Sequence, residues 1–315
     1  MKTALVTGGA GFIGSHVCDR LVQDGYRVIC VDNLLTGDRN NIQHLQNNQN
    51  FEFVEADVTE VRDYRCDFVF HLASPASPNA NSPRSYMALP VETMLVNSLG
   101  TKLMLDVARK NQARFLFAST SEVYGDPEEH PQKETYWGYV NPIGPRSCYD
   151  ESKRFGEAMT MVYQRQGLDT RIARIFNTYG PRMQPEDGRV VVGFIVAALK
   201  QEPFKIHGAG EQTRSFCYVS DMVEGLVKLM FTDKIAGEVV NLGNTDERSI
   251  NELMEAVAEK IKTEKQIKRL PLPEDDPVRR QPDITKAKTL LGWEPKVSLD
   301  QGLDKTIEYF RGVIK

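Results

Sequence analysis

Three glycines near the start of the chain constrain its fold more than any other feature. Gly8, Gly11 and Gly14 directly follow the apolar run from Thr3 to Thr7 and open a stretch with helical spacing of apolar residues. Glycine in such a turn lets the backbone bend tightly and lets phosphate groups approach the amides of the helix N-terminus. This context predicts a phosphate-binding β-α-β unit, although the spacing alone also fits a turn that needs glycine for steric reasons only.

The alternation of strand and helix patterns continues beyond this turn. Further short β-branched or aromatic runs predict buried strands at Arg27 to Val31, Phe51 to Glu55, Phe68 to Leu72, Arg114 to Ser119 and Thr170 to Ile175. Helical patterns lie at Gly14 to Asp24, Val91 to Lys110 and Tyr149 to Gln166. The order predicts an α/β fold, a Rossmann-type doubly wound parallel sheet.

The pattern changes after about residue 176, where proline and glycine break the chain into shorter elements. We expect residues 1–175 to form a dinucleotide-binding Rossmann domain and residues 176–315 to form a smaller mixed α/β substrate domain. Segments at about 215–245 are expected to return to the main sheet, so that the two domains interleave. A ligand would then bind in the cleft between them.

Composition and charge narrow the class of protein further. The net charge of -4 provides no basic field, so we expect no nucleic-acid partner. The five cysteines are scattered without a Cys-x-x-Cys pair, which predicts free thiols and no metal site. The first apolar run is too short for a signal peptide or a membrane segment, and we expect a cytoplasmic protein.

An aspartate at the end of the second predicted strand identifies the cofactor class. Asp32 follows Gly14 by 18 residues, where its carboxylate can accept hydrogen bonds from both adenosine ribose hydroxyls and would repel a 2′-phosphate. We therefore expect NAD rather than NADP. Asp57 and Val58 follow the third strand, where they either flank the adenine or, in the case of Asp57, cap a loop. The predicted cofactor-binding set is Gly8, Gly11, Phe12, Ile13, Gly14, Asp32, Asn33, Asp57, Val58, Leu72, Ala73, Ser74, Asn97, Tyr149 and Lys153.

A tyrosine and a lysine in the third helical pattern are candidates for proton transfer. Tyr149 and Lys153 are four residues apart, so they share one face of a helix beside the carboxyl edge of the sheet. Lys153 is expected to lower the pKa of the phenol and to hold the nicotinamide ribose, which makes Tyr149 a base for a sugar hydroxyl. Thr120 ends the fifth strand and is expected to share the substrate hydrogen bond. The alternative is a helix-surface pair without chemistry.

These motifs resemble the extended short-chain dehydrogenase/reductase superfamily and, within it, the UDP-glucuronate decarboxylase family. The likeness runs nearly end to end. It rests on the segments from Gly8 to Gly14, His71 to Pro78, Asn141 to Glu151, Arg174 to Met183 and Gln212 to Phe216. The chain departs from the family pattern in a longer loop at Asn79 to Leu89 and in Ser152, where glycine is common.

The resemblance implies the reaction and further site residues. NAD would oxidise carbon 4 of UDP-glucuronate, the resulting β-keto acid would lose carbon dioxide, and re-reduction would give UDP-xylose. Glu122 matches a family acid that helps with ring geometry or proton handling; the alternative is a solvated carboxylate at a strand end. Arg280 matches a family arginine near the leaving carboxylate; the alternative is a charge on a surface loop. The catalytic set is then Thr120, Glu122, Tyr149, Lys153 and Arg280. The candidates for binding the UDP-sugar are Ser121, Asn177, Arg189, Lys205, His207, Arg214, Tyr218 and Arg280, of which Tyr218 is alternatively a core residue.

Other functions of the same superfamily remain open from sequence. A nucleotide-sugar 4,6-dehydratase has Asp-Glu after the threonine, whereas this chain has Ser121 and Glu122. A 4-epimerase would need neither Glu122 nor Arg280, and a non-catalytic NAD-binding regulator would need none of the catalytic set. The resemblance also suggests a homodimer packed through the helices at Val91 to Lys110 and Tyr149 to Gln166.

Overall fold

The computed structural model describes residues 1–314. The strands are β1 (Thr3–Thr7), β2 (Arg27–Asp32), β3 (Phe51–Glu55), β4 (Phe68–His71), β5 (Arg114–Thr120), β6 (Thr170–Ile175), β7 (Thr178–Tyr179), β8 (Phe204–His207), β9 (Thr213–Ser215), β10 (Cys217–Tyr218), β11 (Val239–Leu242), β12 (Glu247–Ser249), β13 (Ile267–Leu270) and β14 (Arg279–Arg280). The helices are α1 (Phe12–Gln23), α2 (Pro90–Leu95), α3 (Thr101–Asn111), α4 (Ser147–Arg165), α5 (Val190–Leu199), α6 (Val219–Phe231), α7 (Ile250–Ile261), α8 (Thr285–Leu291) and α9 (Leu299–Val313).

The central sheet has seven strands in the order β11-β6-β5-β4-β1-β2-β3, and every neighbouring pair is parallel. The strand order reverses direction at β1, so the loops after β1 and β4 diverge at the carboxyl edge and open a crevice there. The predicted α/β fold with a doubly wound parallel sheet is therefore confirmed.

Both faces of this sheet are covered by helices. Along β1, Ala4 and Val6 belong to the core layer that contains Val17 of α1, whereas Leu5 belongs to the layer that contains Met104 of α3. Successive side chains of a strand point to opposite faces, so a strand that is apolar throughout is buried on both sides.

The predicted strands agree with the structure to within one residue at each end. The prediction of one helix from Val91 to Lys110 is wrong in detail, because a π-helical turn from Val96 to Gly100 separates α2 from α3. Asn97 lies in this turn and donates from Nδ2 to the Thr93 carbonyl (3.0 Å) and to Ser74 Oγ (3.0 Å). A side chain that reaches across the turn in this way is a local cause for an irregular helix.

Shorter strands beyond residue 176 form small separate sheets. These are the pair β10 and β7, the pair β13 and β8, and a three-stranded sheet in the order β12-β9-β14. In that last sheet Arg280 of β14 is in register with Arg214 of β9. Strand β11 instead joins the central sheet beside β6. The division into two interleaved domains stays a prediction. No helix of residues 1–314 is both long and apolar enough to cross a membrane.

Candidate active site

The glycine-rich turn packs tightly against the sheet and the start of α1. Gly8 has a φ of +69°, and a Cβ atom there would lie 2.8 Å from the backbone of Ala73. A Cβ atom on Gly14 would lie 2.1 Å from the Gly8 carbonyl oxygen. Gly11 is the N-cap residue of α1, and no side chain accepts a hydrogen bond from the first amides of this helix. The first amides of α1 therefore remain available to the oxygens of a pyrophosphate, and the residues present fit a dinucleotide.

Asp32 stands at the end of β2, where it is 7% exposed. Its carboxylate accepts hydrogen bonds from the backbone amides of Ala10 (3.0 Å) and Leu34 (2.8 Å). Burial raises the pKa of Asp32, although these backbone amides act in the opposite direction. The contact with Ala10 holds the carboxylate beside the glycine turn, the position that a ribose diol needs.

Asp57 follows β3 and accepts hydrogen bonds from the Thr59 amide (2.8 Å) and from Asn33 Nδ2 (2.8 Å). Burial acts to raise the pKa of Asp57, but the bonds from Thr59 and Asn33 outweigh it and lower the pKa. The Asp57 carboxylate thus caps its own loop. Val58 and Asp57 also line the cleft described next.

A cleft of about 340 Å³ runs along the carboxyl edge of the central sheet, within the size range of small-molecule sites. Every predicted cofactor-binding residue lines it except Asn97, which lies behind Ser74. Of the predicted catalytic and substrate-binding residues, the lining contains Thr120, Ser121, Glu122, Tyr149, Lys153, Asn177 and Arg189. Their roles stay predictions, but the fold brings them to one place.

The Tyr149 and Lys153 side chains lie on the face of α4 that packs against β5. Lys153 is 3% exposed, and its ammonium group donates to the Ala118 carbonyl (2.8 Å). Burial lowers the pKa of Lys153 to about 7, while Glu157 acts to raise it. The Thr120 hydroxyl bonds to the phenol of Tyr149. The three side chains therefore lie together at the end of β5, with Thr120 bonded to Tyr149 and Lys153 bonded to the strand backbone.

The expected effect of Lys153 on the phenol needs a correction. Burial raises the pKa of Tyr149 to about 12, whereas the bond from Thr120 and the charge of Arg189 act to lower it. The phenol ring stacks on Tyr86, with ring centres 4.7 Å apart and an angle of 7° between the planes. Because this stacking and the surrounding protein remove water from the phenol, its neutral form is favoured.

Glu122 is held between two arginines at one end of the cleft. Its carboxylate accepts hydrogen bonds from Arg146 and from Arg280, and both are ion pairs. Burial acts to raise the pKa of Glu122, but the charges of Arg146, Arg280 and Arg214 outweigh it and lower the pKa. Arg280 is 1% exposed and also donates to the Gly125 carbonyl (2.8 Å). The structure thus excludes the alternatives of a solvated Glu122 and a surface Arg280.

A second carboxylate, Asp276, completes this group. It accepts from Arg146 Nη1 (3.2 Å) and from Arg214 Nη2 (3.1 Å). We call Arg146, Arg214 and Arg280 the arginine cluster. Three guanidinium groups that share two carboxylates within a few ångströms leave positive charge beside the cleft, which favours an anionic ligand.

Six of the predicted residues are not in the cleft lining: Arg214 and Arg280, which belong to the arginine cluster, and Lys205, His207, Tyr218 and Asn97. Lys205 is exposed on β8, and His207 of the same strand bonds through Nδ1 to the Pro271 carbonyl (2.7 Å). Tyr218 is 6% exposed and packs edge-on against Tyr179, with ring centres 5.7 Å apart. Asn97 lies behind Ser74. Tyr218 thus occupies the core position that was its alternative.

The cleft also contains residues that the sequence prediction did not assign. Tyr86, Arg146, Arg182 and Asp187 line it. Arg189 makes a bidentate ion pair with Asp187, with N to O distances of 2.6 and 2.8 Å. Arg146 lies one helical turn before Tyr149, and that spacing was a signal for it. Tyr86 belongs to the longer loop, where no local pattern identifies a site residue.

A doubly wound sheet with a glycine-rich turn, together with a Thr, Tyr and Lys group at the carboxyl edge of its strands, defines the class of short-chain dehydrogenases/reductases. The family model described as GDP-mannose 4,6 dehydratase matches residues 5–306. UDP-glucuronic acid decarboxylase 1 of Xenopus tropicalis is 52% identical over 98% of this chain and 72% of its own length. UDP-glucuronic acid decarboxylase 4 of Arabidopsis thaliana is 54% identical over 98% of this chain and 68% of its own length.

Solved structures show the same architecture. The UDP-glucose 4-epimerase of Thermotoga maritima, solved with UDP-glucose, is 35% identical with a TM-score of 0.88 and covers 99% of this chain and 100% of its own. The UDP-glucuronic acid 4-epimerase of Bacillus cereus, in complex with UDP-glucuronic acid and NAD, is 30% identical with a TM-score of 0.87 and covers 99% of each chain. The chain belongs to the UDP-glucuronic acid decarboxylase family of the extended short-chain dehydrogenases/reductases.

Proposed function

We propose that this protein is an NAD-dependent enzyme that converts UDP-glucuronate to UDP-xylose and carbon dioxide. The observation that carries the proposal is Glu122, held by Arg146 and Arg280 in the cleft that also contains Tyr149 and Lys153. A buried arginine cluster beside a redox site suits a sugar that has a carboxylate. The relatives that are 52% to 54% identical over 98% of the chain support the same substrate.

NAD is the proposed cofactor, held by the turn from Gly8 to Gly14 and by Asp32. When bound, NAD accepts the two electrons from carbon 4 of the sugar and returns them after carbon dioxide has left. Asp32 binds the adenosine ribose and excludes a 2′-phosphate, because a phosphate would meet a buried carboxylate. Solved relatives at 30% and 27% identity contain NAD, which supports this choice.

The residues of the chain perform the proton transfers. Tyr149 takes the proton of the hydroxyl at carbon 4 in its ionised form, which the positive charges of Lys153 and of bound NAD would favour against the effect of burial. Thr120 holds the oxygen in place through its own hydroxyl. The ketone at carbon 4 then accepts the electrons of the bond from carbon 5 to carbon 6 as carbon dioxide leaves. The resulting enolate takes one proton at carbon 5, and when carbon 4 is reduced again its oxygen regains the proton held by Tyr149. Arg280 and Arg146 orient that carboxylate, and Glu122 keeps the two guanidinium groups in position.

A homodimer is the proposed assembly. Val91, Met94, Leu95 and Leu99 are 43% to 62% exposed on and next to α2, and Phe155 and Val162 of α4 are 47% and 42% exposed. Elements α2 and α4 contact each other, so these side chains belong to neighbouring surfaces. Apolar side chains in this number on adjacent helices suit burial against a second copy.

Proton NMR of the products tests the proposed function against the nearest alternatives. The protein is incubated with NAD and, separately, with UDP-glucuronate, UDP-glucose and dTDP-glucose. We expect UDP-xylose from UDP-glucuronate and no change in the two neutral sugars. UDP-galacturonate as the only product would instead establish a 4-epimerase, and a 4-keto-6-deoxy sugar would establish a dehydratase.

A further inference from the structure

A third carboxyl group lies next to the arginine cluster and has no part in the proposed reaction. Asp150 follows Tyr149 on α4 and is 6% exposed. Its Oδ1 atom is buried and has no hydrogen-bond partner among the residues that the structure describes. An ionised carboxylate in such a place would be costly, because neither water nor a donor would solvate that oxygen.

The charges around Asp150 come from several elements. Glu122 and Glu151 favour its protonated form, and Arg146 and Arg280 favour its ionised form. Asp276 and Arg214 belong to the same group of charges. The charge of Asp150 also acts to raise the pKa of Tyr86, which lies in the loop from Asn79 to Leu89. Burial is the largest effect and raises the pKa of Asp150 to about 8.

The charge balance of this group depends on whether Asp150 is protonated. With Asp150 neutral, the three arginines of the arginine cluster face two carboxylates, Glu122 and Asp276, and one positive charge is left over. With Asp150 ionised, that charge is cancelled. When Asp150 is neutral, the negative charge of a substrate carboxylate is therefore balanced by the remaining positive charge. When Asp150 is ionised, the substrate carboxylate adds a negative charge that no arginine of the cluster balances.

Spare hydrogen-bond donors accompany the extra positive charge. The Nε atoms of Arg146 and Arg280 and the hydroxyl of Tyr86 are buried without partners in the described part of the chain. As whole residues, Tyr86 and Arg280 are 1% exposed and Arg146 is 9% exposed. Arg146 and Tyr86 line the cleft. The group thus has both the charge and the donors to accept one more carboxylate.

We propose that Asp150 is a specificity-determining residue for the sugar carboxylate: its carboxyl group takes up one proton from solvent when the carboxylate of UDP-glucuronate binds at the arginine cluster. The proposal rests on the proposed function. When the substrate carboxylate leaves as neutral carbon dioxide, the charge balance reverses and Asp150 returns its proton. A nucleotide sugar without a carboxylate drives no such uptake.

Calorimetry of ligand binding measures the proton directly. The NAD-loaded Tyr149→Phe variant prevents turnover, and titrations near pH 8 in phosphate and in Tris give the number of protons taken up from the difference in heats. We expect about half a proton per UDP-glucuronate, because about half of the Asp150 groups are ionised there. UDP-glucose, which has the same nucleotide but no carboxylate, is expected to give close to none.

The matched variant adds Asp150→Asn to Tyr149→Phe. Asparagine is neutral like the protonated acid, so we expect UDP-glucuronate to bind with affinity within about threefold of the parent but without proton uptake. Lys153 also titrates near neutral pH, but it is present in both proteins and faces both ligands. Equal uptake with UDP-glucose, or unchanged uptake in the Asp150→Asn variant, would overturn the proposal.

The outcomes also separate this inference from the proposed function. If UDP-glucuronate binds without linked protons in the Tyr149→Phe protein, only the role of Asp150 is wrong, and this comparison needs no Asp150 variant to fold. If UDP-glucuronate does not bind while UDP-glucose does, the proposed function and the role of Asp150 are both wrong.

Discussion

Glu122 and Arg280 are 158 residues apart in the chain, and they form an ion pair at one end of the cleft. Glu122 follows β5 of the central sheet, whereas Arg280 comes from β14 of a small sheet near the C-terminus. The pair therefore connects the redox site to the part of the chain that we expect to bind the sugar nucleotide.

Removing Arg280 should impair the reaction far more than it impairs folding. We expect Arg280→Ala to lower kcat/KM for UDP-glucuronate by at least about 100-fold, because Glu122 loses a buried partner and the substrate carboxylate loses a donor. The matched control is Arg279→Ala, since Arg279 is the exposed neighbour on the same short strand. Steady-state kinetics for both variants provide the comparison, and equal effects would argue against a role for Arg280.

Gly14 should tolerate no side chain. A Cβ atom at this position would lie 2.1 Å from the Gly8 carbonyl oxygen, so Gly14→Ala must displace the turn that we propose receives the pyrophosphate. We expect NAD affinity to fall by at least about 100-fold and stability to fall by roughly 1–3 kcal/mol. Gly193→Ala on α5 is the control, because its Cβ atom would meet nothing within 4 Å. NAD titration calorimetry and thermal unfolding measure both effects; normal NAD binding by Gly14→Ala would refute this account of the turn.

Lys153 should make stability depend on pH. Its pKa falls to about 7 through burial, so between that value and the ordinary lysine range the unfolded chain binds more protons than the folded one. Burial of Lys153 therefore lowers the free energy of unfolding at neutral pH. As the pH rises, the free energy of unfolding increases again, by up to about 1.4 kcal/mol per pH unit. The Lys153→Met variant should lack this contribution. Urea unfolding of both proteins from about pH 7 to 9 tests it, and parallel pH profiles would contradict it.

The exposed apolar faces of α2 and α4 should hold a dimer together. Phe155→Glu places a charge on that surface, and we expect a monomer at micromolar concentration. Val61→Glu is the control, because Val61 is 86% exposed outside these helices. Analytical ultracentrifugation separates the outcomes: a wild-type protein that is already monomeric would disprove the proposed dimer.

The sequence was sufficient for the parts of the molecule that follow from local patterns. The strands of the central sheet, the glycine turn and the shared helix face of Tyr149 and Lys153 are all set by spacing over a few residues. Because parallel strands all end at one edge of the sheet, residues at those ends were expected to meet.

Ion pairs between residues that are far apart in the chain could not be predicted from the sequence. The pairing of Arg146 with Asp276 spans 130 residues, and nothing near either residue indicates the other. The predicted direction of the Tyr149 pKa shift was wrong for a related reason. Burial raises this pKa, and part of that burial is the stacking on Tyr86, which lies in a loop without a local pattern. The interruption of the predicted long helix likewise depends on where Asn97 finds its partners.

The measurement that tests the central claim most directly uses UDP-glucuronate labelled with carbon-13 at carbon 6, incubated with the NAD-loaded protein and followed by carbon NMR. We predict that the label leaves as carbon dioxide and bicarbonate, with one UDP-xylose formed for each labelled carbon released and no accumulation of NADH. A label that remains in the sugar after prolonged incubation would contradict the proposed decarboxylation.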